Sequence, residues 1–280
     1  DSLKPSIKHH LAFDIYAERL NLKESYKKGH YIVEDGMNVI EIVRMIKLGL
    51  QTPVNVTMNN VKIPAQLAGK LAPQLEADSV ELVEVFTDKA LAKELGFDSP
   101  LTMFSIFLPN TYEVYRDVEP EELVRRMKQE SDKFWSDAER LKKLERSGLT
   151  PYEAMTLASI VHEETNAKDE MARVAGVYIN RLQRGMLLQA DPTVKYALND
   201  PTVKRILKRH LKIDSPYNTY IHKGLPPTPI AMPDLVAIEA VLNYEEHNYL
   251  YFCARPEFDG KHNFAETLSE HEKNAKAYHD

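Results

Sequence analysis

The strongest constraint on the fold of this chain is a helix with a well-marked start at residue 151. Thr150 is a residue type that caps helices, Pro151 suits the first helical position, and Glu153 stands where it completes a capping box. The apolar residues that follow recur at helical spacing through residue 161. The sequence therefore predicts a helix that packs one apolar face into a core.

The predicted helix ends with an acidic residue on its apolar face. Leu157 and Glu164 are two turns apart and point nearly the same way, with Ile160 and Val161 between them. An ionised carboxylate is costly to bury without a partner, so such a group tends to raise its pKa and keep its proton. A protonated carboxylic acid in a cleft is the general acid that glycosidic cleavage requires. The alternative is a helix-end residue that bends into solvent or pairs with Lys168.

A second helix and a polar turn follow directly. The helix is predicted over about 170–184, and Gly185 is typical of a residue that ends helices. Its apolar face consists of Val174, Val177, Tyr178 and Leu182. The turn at 189–193 then brings an amide, a carboxylate and a hydroxyl together just after two packed helices. This turn is a candidate site beside Glu164.

Five segments of the chain together resemble one known family. In chain order they read ASIVHEET, VYINRL, GMLLQADPTVKYAL, SPYNTY and GLPPTPI. This set is similar to the signature of the YceG-like endolytic murein transglycosylases, the MltG family. The resemblance implies that Glu164, the glutamate before threonine in the family's E-x-E-T motif, is the catalytic acid and base. It covers the C-terminal part of the chain well and the N-terminal part more loosely.

The same resemblance implies substrate-binding residues on two polar segments. They are Gln189, Asp191, Thr193, Tyr217, Asn218, Thr219 and Tyr220. Tyrosine rings stack on pyranose faces and amides bond sugar hydroxyls, so these residue types suit a glycan. Three positions depart from the family's usual residues: His162 replaces an acidic residue, Ala190 a threonine and Thr228 a glycine.

The implied reaction is endolytic cleavage of nascent peptidoglycan strands by a lytic transglycosylase. The β-1,4 bond between N-acetylmuramic acid and N-acetylglucosamine would break without water and leave a 1,6-anhydro end, with Glu164 as the single acid and base. Two alternatives stay open. A hydrolase (a muramidase) would use Glu164 with Asp191 as the second carboxylate, and a peptidoglycan-binding scaffold would have no activity.

The expected fold is α+β with two parts. Residues 1–108 form an N-terminal region, in which a strand at Tyr31–Val33, a helix after Asn38 and a strand at 54–58 resemble a LysM-like subdomain at about 28–64. Residues 109–280 form a mainly helical, lytic-transglycosylase-like catalytic domain of the YceG-like type with small strands.

Composition narrows the ligands that the chain is expected to bind. The net charge of −6 gives no indication of a nucleic-acid surface. The segment from His162 to Asn166 begins like a zinc-protease helix but lacks the second histidine, so no metal is predicted. No cofactor is expected either. Cys253 is the only cysteine, which leaves no intramolecular disulfide.

The expected location follows from the resemblance. No signal peptide or membrane-spanning stretch is visible, and the chain starts at Asp1 rather than Met. The resemblance implies that a single membrane helix precedes this sequence and holds the catalytic part on the periplasmic, extracytoplasmic face of the cytoplasmic membrane. The expected partners are peptidoglycan glycan strands and the glycan polymerases or penicillin-binding proteins that make them.

Overall fold

The chain folds as an α+β protein in which helices dominate and the strands form two small antiparallel sheets. The structure is a computed structural model, and it describes residues 7–200 and 202–279. The N-terminal half contains α1 (His10–Arg19), α2 (Leu22–Ser25), α3 (Val39–Leu48), β1 (Val54–Met58), α4 (Pro64–Leu71), α5 (Ser79–Phe86), α6 (Lys89–Glu94), α7 (Pro100–Met103), β2 (Asn110–Val114) and α8 (Pro120–Trp135). The C-terminal half contains α9 (Ala138–Ser147), α10 (Pro151–Glu164), α11 (Met171–Gln183), α12 (Asp191–Leu198), α13 (Leu235–Leu242), β3 (Tyr251–Ala254), β4 (His262–Ala265) and α14 (Leu268–His279).

The central helix α10 starts as the sequence predicts. The Thr150 hydroxyl accepts a hydrogen bond from the Glu153 backbone N–H at 3.2 Å, and the Glu153 carboxylate accepts one from the Thr150 N–H at 2.8 Å. The prediction of a single apolar face is wrong, because every residue from Ala154 to Val161 is buried. Helices α11, α12 and α13 all pack against α10, so its small and polar residues lie in the core as well.

A second core lies under the ribbon of β1 and β2. The two strands pair antiparallel from Val54 opposite Val114 to Met58 opposite Asn110. Alternate residues of the ribbon point inward and are covered by α4, α5 and α8. The Met232 N–H donates to the Val61 carbonyl at 2.7 Å, which ties this core to the segment before α13. The ribbon crosses the domain boundary placed between residues 108 and 109, and that boundary stays a prediction.

The N-terminal core is small, and it lacks one of the strands that the sequence predicts. Asn38 forms a capping box with Glu41 and starts α3, and Gly49 ends it with a φ of 69°. The predicted strand at Tyr31–Val33 does not form, because β1 pairs with β2 and leaves this segment without a partner strand. Its side chains pack beside Val43 instead. The LysM-like arrangement of strand, helix and strand is therefore not confirmed.

The β3–β4 hairpin and helix α14 form one wall of a cleft. Strands β3 and β4 pair from Tyr251 opposite Ala265 to Ala254 opposite His262, and α14 packs across this hairpin. Across the part of the chain that the structure describes, no helix has the length and apolar character needed to span a membrane.

Candidate active site

Glu164 is the last residue of α10 and opens into a cleft of about 380 Å³. Its side chain is only partly accessible to solvent. The Tyr178 hydroxyl, on the facing side of α11, donates a hydrogen bond of 3.1 Å to the Glu164 Oε2 atom. Helix α10 therefore places a carboxyl group at the cleft, and α11 carries the hydroxyl that donates a hydrogen bond to it.

The surroundings of Glu164 favour its protonated form. Burial raises the pKa of the Glu164 carboxyl from 4.5 to about 7, the hydrogen bond from Tyr178 opposes that rise, and the charge of Asp191 adds to it. The nearby Arg181 guanidinium also lowers the pKa of Glu164. A carboxyl group with this pKa can both give and take a proton near neutral pH, as a general acid and base must.

Arg181 is a site residue that the sequence reasoning missed. Its side chain is buried, 7% exposed, and it lies one helical turn after Tyr178 on the same face of α11. It donates to the carbonyl oxygens of Leu250 at 2.6 Å, Leu188 at 2.9 Å and Leu187 at 3.2 Å. These bonds join α11 to the approach to β3 and to the turn before α12. Because Arg181 follows Tyr178 by three positions on a predicted helix, the spacing places both side chains on one face, and this could have identified Arg181 as a site residue.

The polar turn predicted at 189–193 lies at the cleft. Gln189 adopts a left-handed backbone with a φ of 54°, and its N–H donates to the Thr219 carbonyl at 3.1 Å. Asp191 begins α12 and accepts a 2.6 Å hydrogen bond from the Tyr220 hydroxyl. Glu164, Gln189, Asp191 and Tyr220 thus line the same cleft, as the sequence predicts.

Four other predicted substrate-binding residues do not line the cleft. Thr193, Asn218 and Thr219 are almost fully buried, at 0%, 0% and 1% exposed. The Tyr217 hydroxyl shares a hydrogen bond of 2.8 Å with the Thr228 hydroxyl, away from Glu164. The resemblance places these residues on the site loops, but Thr193, Asn218 and Thr219 are turned into the core, and the partly buried Tyr217 bonds Thr228 instead.

The buried polar residues hold the two site loops together. The Thr193 and Thr219 hydroxyls lie 2.8 Å apart, and the Ala190 N–H donates to Thr219 Oγ1 at 3.0 Å. The Asn218 amide donates to two loop carbonyls at 2.8 and 3.0 Å and accepts from the Tyr220 N–H at 3.0 Å. Asn218 therefore fixes the loop that carries Tyr220.

The far wall of the cleft comes from the β3–β4 hairpin and α14. It contains Tyr251, Phe252, Leu268 and His271, none of which the sequence analysis selected. The His271 ring stacks on Tyr251 with 5.4 Å between centroids and 23° between planes. Burial, together with the Arg181 charge, lowers the pKa of His271. This wall thus offers aromatic faces and an imidazole whose surroundings favour its neutral form.

The two residues before Glu164 point away from the cleft, as the helical spacing predicts. Glu163 forms an ion pair of 2.6 Å with Lys62, and His162 lies 3.6 Å from the carboxylate of Asp234. His162, which departs from the family's usual acidic residue, therefore acts outside the immediate surroundings of Glu164.

Within residues 7–200 and 202–279 no group of three or more His, Cys, Asp or Glu side chains is arranged to hold a metal ion.

Comparison with known proteins places the chain in a family. A putative YceG-like protein from Listeria monocytogenes, lmo1499, has a crystal structure at 2.6 Å that is 28% identical, with a TM-score of 0.65 over 94% of this chain and 88% of that one. An endolytic murein transglycosylase of Bacillus subtilis is 28% identical over 97% of this chain and 78% of its own length. One of Streptococcus pneumoniae D39 is 27% identical over 96% of this chain, which spans 53% of that relative. The sequence pattern of the YceG-like family matches residues 3–277, so the chain belongs to the YceG-like family.

Proposed function

We propose that this chain is an endolytic lytic transglycosylase of peptidoglycan, with Glu164 as its single acid and base. One observation carries the proposal: a carboxyl group with a pKa of about 7 opens into a cleft of about 380 Å³ beside a tyrosine donor. That volume is in the usual range for small-molecule sites, about 300–1,000 Å³. The relatives named endolytic murein transglycosylases support the choice of substrate.

The first step is proton donation by Glu164. The carboxyl group protonates the glycosidic oxygen between C1 of N-acetylmuramic acid and C4 of N-acetylglucosamine. The C1–O bond breaks, its electron pair stays with the departing oxygen, and positive charge develops at C1. The Glu164 carboxylate that remains is negative and faces this charge, which favours the transition state.

The second step returns the proton to Glu164. The carboxylate removes the proton from the C6 hydroxyl of the muramyl sugar, and the C6 oxygen bonds to C1 to close a 1,6-anhydro ring. No water is consumed, because the nucleophile belongs to the substrate. One carboxyl group therefore serves both steps, and the Tyr178 hydroxyl stabilises it in the ionised form between them.

The test is mass spectrometry of the glycan products from the wild type and Glu164→Gln. The wild type should give 1,6-anhydro ends, and Glu164→Gln should lose roughly 100- to 10,000-fold in rate, as is typical for a general acid–base group. Products heavier by one water, with reducing ends, would indicate a hydrolase that uses Glu164 with Asp191. Intact strands after incubation with the wild type would indicate a scaffold instead.

We also propose that the domain works at the outer face of the cytoplasmic membrane, near the glycan polymerases or penicillin-binding proteins. Murein strands emerge there, and tethering by a preceding membrane helix would raise the local concentration of enzyme without new contacts. The check is protease digestion of cells whose outer layers are permeabilised and whose cytoplasmic membrane is intact. Protection of this domain, while a periplasmic marker is digested, would contradict the location.

A further inference from the structure

The side chain of Arg181 holds the Gln189 side chain as well as the loop backbone at the cleft. Besides its three bonds to carbonyl oxygens, its Nη1 atom lies 3.3 Å from Oε1 of Gln189. The Nε and Nη1 donors of Arg181 thus face neutral oxygens, those of the three carbonyls and of the Gln189 side chain. A guanidinium group can only donate hydrogen bonds. The atom of Gln189 that faces Arg181 must therefore be its oxygen.

This constraint sets the direction of the Gln189 amide. With Oε1 held by Arg181, the Nε2 group is turned away from it, and Nε2 has no hydrogen-bond partner within residues 7–200 and 202–279. Gln189 is exposed and lines the cleft with Glu164 and Asp191. The amide is thus presented to a ligand as a donor.

The backbone at Gln189 is held in place as well. Its φ of 54° lies in the left-handed region, which few residues other than glycine, asparagine and aspartate adopt. The N–H bond to the Thr219 carbonyl and the neighbouring Ala190 N–H bond to Thr219 Oγ1 keep this conformation. Backbone strain of this kind concentrates at ligand sites, where the surrounding structure maintains it.

We propose that Arg181 is a positioning residue that makes Gln189 a hydrogen-bond donor to a carbonyl oxygen of the glycan substrate. A sugar hydroxyl both donates and accepts, so either face of an amide would bind it. A carbonyl oxygen only accepts, so it requires the fixed donor, and amide carbonyls are stronger acceptors than the ether oxygens of the strand. In peptidoglycan this oxygen belongs either to an acetamido group or to the lactyl amide that carries the stem peptide. The inference rests on the proposed function for its substrate class.

The test measures binding of glycan strands in the Glu164→Gln background, where no turnover interferes. Gln189→Glu keeps the shape and a bond to Arg181 but replaces the donor with an acceptor, so the Kd should rise about tenfold or more. Gln189→Met should weaken binding less, because it adds no repulsion. Gln183→Glu, an exposed change on α11, adds the same charge outside the cleft and should leave the Kd unchanged.

Two modified substrates identify the oxygen. If the acetamido group is the acceptor, the effect of Gln189→Glu should disappear on de-N-acetylated strands. If the lactyl amide is the acceptor, the effect should disappear on strands freed of stem peptides and lactyl groups. An effect that persists on both, or no effect on unmodified strands, would overturn the inference. Because cleavage is not measured, these results are independent of whether the wild type produces anhydro ends.

Arg181→Lys tests the positioning role. Lysine keeps the positive charge but cannot bond the three carbonyls and Oε1 together. In that variant Gln189→Glu and Gln189→Met should differ little in Kd from the Arg181→Lys parent, since the amide is no longer oriented. A full tenfold effect of Gln189→Glu in the Arg181→Lys protein would show that Arg181 does not orient the amide. If Arg181→Lys does not fold, the NMR signals of the Gln189 side-chain amide in the Arg181 protein decide instead. One fixed orientation would support the positioning role, and an amide that averages between orientations would overturn it.

Discussion

Replacing Glu164 with glutamine should stabilise the folded protein at alkaline pH. The folded pKa of Glu164, about 7, exceeds its ordinary value of 4.5, so the folded state binds more protons than the unfolded state between these values. The free energy of unfolding of the wild type therefore falls, through this group, as pH rises from about 4.5 to about 7. Glutamine has nearly the same shape and no ionisation, so the variant lacks this loss.

The magnitude follows from the size of the pKa change. One pKa unit corresponds to about 1.4 kcal/mol, so a rise from 4.5 to about 7 gives about 3–4 kcal/mol at pH 8.5. This figure is an upper bound, because the side chain keeps some contact with solvent and water screens its charge. Near pH 4 the wild-type carboxyl is mostly protonated in both states, so the pH-dependent difference between the two proteins should be small.

The assay is urea unfolding of the wild type and Glu164→Gln at pH 4, 5.5, 7 and 8.5. Other titrating groups contribute equally to both proteins, so the difference in unfolding free energy isolates Glu164. Glu163→Gln is the matched control, because it removes the neighbouring carboxylate that pairs with Lys62 and should lower stability by up to about 1 kcal/mol. A constant difference between Glu164→Gln and wild type across this pH range would refute the argument that burial raises the pKa of Glu164.

Three further predictions follow from single contacts. Tyr178→Phe removes a hydrogen-bond donor that favours the ionised Glu164, so the pKa of Glu164 should rise. The alkaline limb of the kcat/KM profile should therefore shift to higher pH by about 1 unit. Tyr152→Phe, at the other end of α10, should leave this limb in place. Asn218→Ala removes three hydrogen bonds, so the unfolding free energy should fall by about 2–3 kcal/mol while KM stays within about twofold of wild type. A large rise in KM with unchanged stability would instead indicate that Asn218 contacts the sugar. Gly176→Ala would press a Cβ atom against the Glu245 carbonyl oxygen, so the unfolding free energy should fall by about 1–3 kcal/mol in urea unfolding. Wild-type stability of the variant would contradict this prediction.

The elements that the sequence predicts well are those with local signals. Thr150 and Glu153 mark the start of α10, Gly185 follows the end of α11, and the helical spacing places Glu164 at the cleft. These features depend on residues a few positions apart, and the rules of capping and periodicity describe such neighbours directly.

The remaining features depend on partners that are distant in the chain. Strand β1 pairs with β2 across more than fifty intervening residues, and nothing local to Tyr31–Val33 indicates that it stays without a partner. The cleft wall of Tyr251 and His271 is likewise set by how the hairpin docks on α11. Asn218 and Gln189 look equivalent as polar loop residues, and only the packing decides that one is buried and the other exposed.

The β1–β2 ribbon has a consequence for any shortened form of this protein. A fragment that begins at residue 109 would keep β2 but lose β1, and so would present an unpaired strand edge with Tyr112 and Val114 stripped of their cover. Bare edges of this kind recruit strands from other molecules and lead to aggregation. A fragment that starts upstream of Val54 and includes α4 and α5 retains the ladder and the apolar layer beneath it. Residues 54–108 therefore shield an apolar strand edge that a fragment starting at residue 109 would expose.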